Sequence, residues 1–216
     1  RLPIPRAGHT VAAAGICGSD LHWYSEGNIG TASLKQPLVL GHEFCGVVES
    51  GDMRGRRVVF EPSDGCGQCE QCHAGHPNLC QRGRFAGSSP TDGAFREYAV
   101  WPRELLFELP QSVSDREAAM LEPFCNGLQA IDLGHVHAGM VVSICGCGPI
   151  GLVILQAARA AGAAAILMTD KLQHRMEAAR RLGASDVFAA DGTEAQAIME
   201  ATGGRGVDVA FEAAGH

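Results

Sequence analysis

The sequence contains no run of about 18 consecutive apolar residues, the minimum for a helix that crosses a bilayer, so no helical membrane span is expected. It also lacks an excess of positive charge: 17 Lys and Arg stand against 24 Asp and Glu, a net charge of −7. Nucleic acids and anionic membrane surfaces demand basic patches, so neither is expected as a partner. The opening residues, RLPIPRAGHT, lack the apolar core of a secretory leader, and the cytoplasm is the expected location. Internal repeats and low-complexity tracts are absent. Charged residues are few, 19% against 46% hydrophobic, which excludes a disordered chain and leaves a globular one of one large or two small domains. Cysteine, by contrast, is plentiful. Nine is an odd number, which a complete disulfide framework would not give, and a reducing compartment favours thiols or metal ligands.

Two textures divide the chain. Residues 1–138 are rich in Gly, Pro, Cys and His, with short strand-like runs (LVLGHEFCGVVE, RRVVFEP, FREYAVWP) separated by turn signals, the pattern of an irregular β-rich domain. From residue 139 to 216 strands alternate with helices. GMVVSICGCGPIG is a β-branched run entering a glycine turn, PIGLVILQAARAAGA an apolar helix, and AAILMTD a buried strand. KLQHRMEAARRLGA is an amphipathic helix, and SDVFAA, TEAQAIMEATGG and VDVAFEAAG continue as strand, helix and strand. That alternation predicts an α/β fold with a parallel sheet.

Within this second part, GCGPIG places Gly146, Gly148 and Gly151 in the G-x-G-x-x-G pattern, after a predicted strand and at the start of a predicted helix. The pattern alone is weak. Its context is not, because Asp170 ends the next strand. Gly146 permits the tight turn, Gly148 lets the backbone approach a pyrophosphate, and Gly151 allows close helix–strand packing. The phosphates would rest on the helix N-terminus, and Asp170 would accept hydrogen bonds from the ribose hydroxyls. The charge of Asp170 disfavours a 2′-phosphate and points to NAD, against the pull of Lys171 and Arg175 nearby. The alternative is a glycine-rich turn with no ligand.

The first part carries the metal-binding residue types. GICGSDLHWY supplies Cys17, Ser19, Asp20, His22, Trp23 and Tyr24; LVLGHEFCG supplies His42 and Glu43; AAMLEPFCNG supplies Glu122. Thiolate, imidazole and carboxylate all bind zinc, and a catalytic zinc keeps one position open. A zinc ion lowers the pKa of a hydroxyl attached to it by several units, so zinc beside a nicotinamide reads as alcohol oxidation. Taken singly, each residue has a plainer reading: a buried cysteine as a small hydrophobe, a histidine as a hydrogen-bonded structural group. Their joint occurrence upstream of a dinucleotide fold favours ligation. GCGQCEQCHAGHPNLC adds Cys66, Cys69, Cys72 and Cys80 in a C-x2-C-x2-C-x7-C spacing, which by itself fits a metal site, a disulfide knot or a redox patch.

These residues together resemble the zinc-dependent medium-chain dehydrogenase/reductase family, and within it the sorbitol (polyol) dehydrogenase subgroup. The motifs that carry the resemblance are GICGSDLH, LGHEFCGVV, the four-cysteine run, DGAFREY, LEP and GCGPIG with its downstream Asp. The resemblance implies an N-terminal GroES-like β-rich domain over 1–138. It implies a Rossmann domain, a doubly wound parallel sheet, of which 139–216 hold the first half, with the active site between the two. It implies that Cys17, His42 and Glu43 bind a catalytic zinc. Glu122 stands where the alcohol dehydrogenases carry a further zinc-binding cysteine, and in polyol dehydrogenases a glutamate there acts through the zinc-bound water. Ser19 and His22 match a proton relay, and Trp23 and Phe85 line the substrate pocket. Pro149 and Ile150 face the cofactor beside Gly146, Gly148 and Gly151, with Asp170 and Arg175 at its adenosine end. Cys66, Cys69, Cys72 and Cys80 look like a structural zinc lobe, closed by four thiolates. The remaining cysteines, Cys45, Cys125, Cys145 and Cys147, read as structural residues in strand and turn contexts.

The expected activity is oxidation of a secondary hydroxyl of a polyol such as sorbitol or xylitol to a ketose, with NAD as hydride acceptor. A homo-oligomer, dimer or tetramer, is the expected assembly. Rival expectations are an L-idonate-type sugar-acid dehydrogenase, a threonine dehydrogenase, a zinc-free quinone reductase, and a zinc- and NAD-binding chain without turnover. The chain is shorter than members of the family. RAGHTVAAAGICG reads as lacking most of a strand, and VVESGDMRGRRVVF as lacking a connecting loop.

Overall fold

The structure, a computed structural model, describes residues 6–215. The first five residues, on which part of the leader expectation rests, lie outside them. Backbone contacts divide the chain into two compact units, Arg1–Glu122 and Pro123–His216.

The first unit contains β1 (Arg6–Gly15), α1 (Gly18–Glu26), β2 (Asn28–Ile29), β3 (Ala32–Ser33), β4 (Glu43–Val48), β5 (Arg57–Phe60) and β6 (Ser63–Asp64). There follow α2 (Glu70–His73), β7 (Arg84–Phe85), β8 (Tyr98–Pro102), β9 (Leu106–Glu108) and α3 (Asp115–Ala119). Its main sheet has five strands in the order β8-β1-β4-β5-β9, with antiparallel neighbours. Two short two-stranded sheets, β2–β3 and β6–β7, are separate from it. The stretch that reads as short for a strand builds the ten residues of β1, with a register shift between Val11 and Ala13. β1 approaches β4 so closely that a Cβ on Gly46 would lie 2.1 Å from the Thr10 carbonyl oxygen, so only glycine fits. Phe44, Val48, Val58, Phe60, Ala99 and Trp101 form the core of this unit. The rings of Phe44 and Phe60 stack with centroids 4.3 Å apart. α3 starts on a capping box: the Ser114 hydroxyl accepts the Glu117 N–H, and Glu117 Oε2 accepts the Ser114 N–H at 2.8 Å.

α4 (Leu121–Leu133) begins at the division. The second unit then runs β10 (Val141–Cys145), α5 (Pro149–Ala160), β11 (Ala165–Asp170), α6 (Gln173–Leu182), β12 (Asp186–Ala189), α7 (Glu194–Ala201) and β13 (Val209–Glu212). All four strands are parallel, in the order β12-β11-β10-β13, as the strand–helix alternation requires. Val142, Ile144, Ile166 and Met168 are buried in the sheet, and α5 buries Ile154, Leu155, Ala157 and Ala158 against it. Strands covered on both faces read as continuous apolar runs, which is why VVSIC and AILM are legible as strands.

Candidate metal centres and nucleotide cleft

Cys17 is the N-cap of α1, and His42 and Glu43 sit where the chain enters β4. One ligand atom from each lies within 4.8 Å of the others, so sulfur, imidazole and carboxylate can share one ion. This donor set fits an open three-ligand zinc site. Two features hold it. Asp20, 2% exposed, accepts the Cys17 N–H on Oδ2 at 2.9 Å and the Gly41 N–H on Oδ1 at 3.0 Å. The same Oδ1 lies 3.7 Å from His42 Nδ1, so one carboxylate joins both ligand-bearing segments. The signal was available as an acid three residues after the helix cap. The second feature is Gly15, paired with Glu43 across β1 and β4, where an added Cβ would lie 2.1 Å from Glu43 Oε2. The carboxylate occupies the space that glycine leaves open.

The three groups act on one another electrostatically. A hydrogen bond with His42 lowers the pKa of the Cys17 thiol, against burial and with help from Ser19. For His42, burial acts to lower the pKa, but Cys17, Asp20 and Glu122 together raise it. Burial raises that of Glu43, opposed by His42 and Cys17. Phe85 lies tilted against the His42 ring, centroids 5.2 Å apart. Glu122, at the start of α4, acts on His42 by its charge but is not one of the clustered three. His22 is exposed, with Nδ1 2.7 Å from Glu26 Oε1 one turn on, whereas Trp23 is buried.

Cys66, Cys69, Cys72 and Cys80 also gather, with ligand atoms within 4.8 Å of one another. The backbone positions them: Cys69 caps α2, a single 3-10 turn at Pro77–Leu79 brings Cys80 back, and the Cys66 N–H donates to Cys80 Sγ at 3.3 Å. The backbone N–H of Gln68 lowers Cys66 to about 6, while burial and then the neighbouring thiols push Cys72 up to about 11. Thiols held this close resist ionising together unless a cation sits among them, so the cluster fits a structural zinc. All nine cysteines are free, which removes the disulfide reading of this run. One expectation is corrected. Cys125 lies exposed on α4, not in a strand or turn, because that segment is helical and turns the thiol outward.

In the second unit Gly146 has φ +103°, and a Cβ there would press on the Ala213 carbonyl at 2.8 Å. A Cβ on Gly151 would meet the Gly146 carbonyl oxygen at 1.9 Å, which is the close helix–strand approach its place in the pattern requires. Gly148 caps α5, and a Cβ built on it would meet only the Arg175 guanidinium, at 3.9 Å, so there is open space beside it. Pro149 is the first residue of α5 and Ile150 is exposed beside it. Asp170 accepts the Cys147 N–H on Oδ2 and the Leu172 N–H on Oδ1, both at 2.8 Å. Burial opposes its ionisation, but these N–H groups and Arg175 hold its pKa below the usual carboxylate value. A cleft of about 500 Å³ lies here, lined by Gly146, Gly148, Asp170, Lys171, Arg175 and Glu194 among others.

An antiparallel β-rich unit bearing a three-ligand set and a four-thiol lobe, and a parallel α/β unit with a glycine turn and acidic strand end, have the GroES-like and Rossmann-type folds. Two family models match the chain, the alcohol dehydrogenase GroES-like domain over residues 10–111 and the zinc-binding dehydrogenase over residues 149–216. The chain belongs to the zinc-dependent medium-chain dehydrogenase/reductase family. It is 40% identical to a sorbitol dehydrogenase of Bacillus subtilis, over 100% of this chain and 64% of that protein. It is 38% identical to an L-idonate 5-dehydrogenase of Vitis vinifera, over 95% of this chain and 59% of that one. A crystal structure of an alcohol dehydrogenase from Escherichia coli complexed with NADH superposes with a TM-score of 0.88 at 32% identity, covering 98% of this chain and 62% of that one. The chain spans less than two thirds of the length of these relatives.

Proposed function

We propose that the chain is the catalytic and nucleotide-binding portion of a zinc- and NAD-dependent dehydrogenase that oxidises a secondary hydroxyl of a polyol to a ketose. The observation that carries this reading is the convergence of Cys17, His42 and Glu43 within 4.8 Å, in a chain of this family. When bound, zinc would polarise the substrate hydroxyl, and the nicotinamide would accept a hydride from the carbon that bears it. Cys17, His42 and Glu43 hold the ion, Asp20 fixes their spacing, and Glu122 biases the site from beside His42. Ser19 and His22 move the hydroxyl proton toward solvent, while Phe85 and Trp23 shape the substrate side. Gly146, Gly148, Pro149, Ile150 and Gly151 form the phosphate turn, and Asp170 with Arg175 holds the adenosine ribose. Cys66, Cys69, Cys72 and Cys80 bind the second, structural zinc. The division into a catalytic part over 1–138 and a nucleotide part over 139–216 belongs to the same reading, as do a homo-oligomer and a cytoplasmic location. No helix among the described residues is long and apolar enough to cross a membrane.

The test is a substrate panel with full-length protein at fixed zinc, followed by NAD reduction. Sorbitol and xylitol are expected to turn over well above simple primary alcohols and threonine, and equal rates across the panel would defeat the polyol assignment. A sugar acid of the L-idonate type is the second reading, supported by the 38% identity to the Vitis vinifera enzyme. Preference for the aldonate over the polyol would select it.

A further inference from the structure

Four thiolates outweigh the charge of one divalent cation, so a loaded four-cysteine lobe is anionic and gains from a positive donor beside a sulfur. Few residues can supply one. No lysine stands between Lys35 and Lys171, and Glu70, in the first turn of α2, adds charge of the wrong sign. Of the arginines flanking the lobe on its C-terminal side, Arg84 is ion-paired with Asp64, its partner in the β6–β7 pair. Arg82 instead directs its guanidinium at the lobe, with Nη2 3.5 Å from Cys66 Sγ.

We propose that Arg82 is a positioning residue of the four-cysteine centre, donating to the Cys66 sulfur and offsetting the charge of the cluster, and that it slows release of the metal. The inference rests on reading this lobe as a zinc site. An N–H donor draws electron density from a thiolate, and a cation lowers the repulsion among the four. Both make it harder for a sulfur to be protonated off the ion, which is the first step of metal loss.

The experiment follows zinc release from the full-length protein into a chromophoric chelator over time, with total metal measured separately. Cys66→Ser assigns the phase that belongs to the lobe by removing one ion per chain. Arg82→Gln is expected to accelerate that phase about tenfold, the scale of lost outer-shell support, and to leave the other phase alone. Arg82→Lys, which keeps the charge, is expected to fall between Arg82→Gln and wild type. Wild-type release from Arg82→Gln, or equal acceleration by both substitutions, would overturn the role of Arg82 while leaving the zinc lobe standing. Unchanged zinc content in Cys66→Ser would instead remove the zinc lobe itself, and the proposal with it.

Discussion

At the residue scale, the metal-binding set depends on groups that never touch the metal as much as on those that do. Cys17→Ser removes the sulfur, and full-length protein carrying it is expected to lose one zinc per chain and its turnover while still binding NAD. Retained turnover would remove Cys17 from the ligand set. Gly15→Ala makes a subtler demand. Its Cβ would intrude on Glu43 Oε2, so zinc at the three-ligand set should weaken roughly 10–100-fold, the range for a displaced supporting contact, with the four-cysteine ion retained. Metal titration of the variant checks this, and wild-type affinity would show that Glu43 can move without cost. Asp170→Ala should weaken NAD about 10–100-fold, the loss of about 1.5–3 kcal/mol for hydrogen bonds to a charged group, and should narrow the preference for NAD over NADP. Calorimetry with both nucleotides reads the two effects. Cys17, His42, Glu43 and Asp170 are legible in the sequence because chemistry restricts their types. Asp20 and Gly15 are not, because their roles arise only once β1, α1 and the entry to β4 come together.

At the scale of elements, β1 carries a polar residue in the core. His9 is fully buried, neither ring nitrogen has a partner in hydrogen-bonding geometry, and the ring meets Phe60 edge-on at 4.9 Å. Burial lowers its pKa, with a smaller opposing pull from the Trp101 backbone. The unfolded chain takes up this proton near pH 6.5 and the folded chain resists it, so unfolding binds a proton as pH falls. The contribution of His9 to stability is therefore whole above about pH 6.5 and declines below it. Denaturant midpoints measured from pH 7.5 to 5 should fall on the acid side, and His9→Phe should flatten that fall; an equal slope in both proteins would acquit His9. The helices and strands of the second unit follow the sequence pattern closely, since strand and helix runs alternate there and glycines such as Gly162 and Gly183 end the helical runs. The first unit is less legible. LVLGHEF yields a strand only from Glu43, and α1 forms because Cys17 and Asp20 close a capping box and Gly27 ends the helix at φ +69°. Short irregular elements owe their boundaries to such local bonds, which periodicity does not report.

At the scale of the whole molecule, two units with separate cores and separate ligands should respond to those ligands separately. NAD at 100 times its Kd adds about 2.7 kcal/mol to whatever it binds. Hydrogen exchange should slow mainly through 141–170 when NAD is added, and quicken through 63–85 when zinc is chelated. Protection spread evenly over the chain would show that the units behave as one cooperative block. The sequence by itself determined the class of each unit, through strand–helix alternation in one and turn-punctuated short strands in the other. It also narrowed the candidate ligand residues to a few thiols, imidazoles and carboxylates, since zinc and dinucleotides accept few side-chain types. Only the tertiary structure decided which of the candidates converge, that a buried aspartate ties two of the ligand segments, and that a glycine makes room for the third. Those relations join residues far apart in the chain, and distance in space is set by packing and register rather than by local pattern.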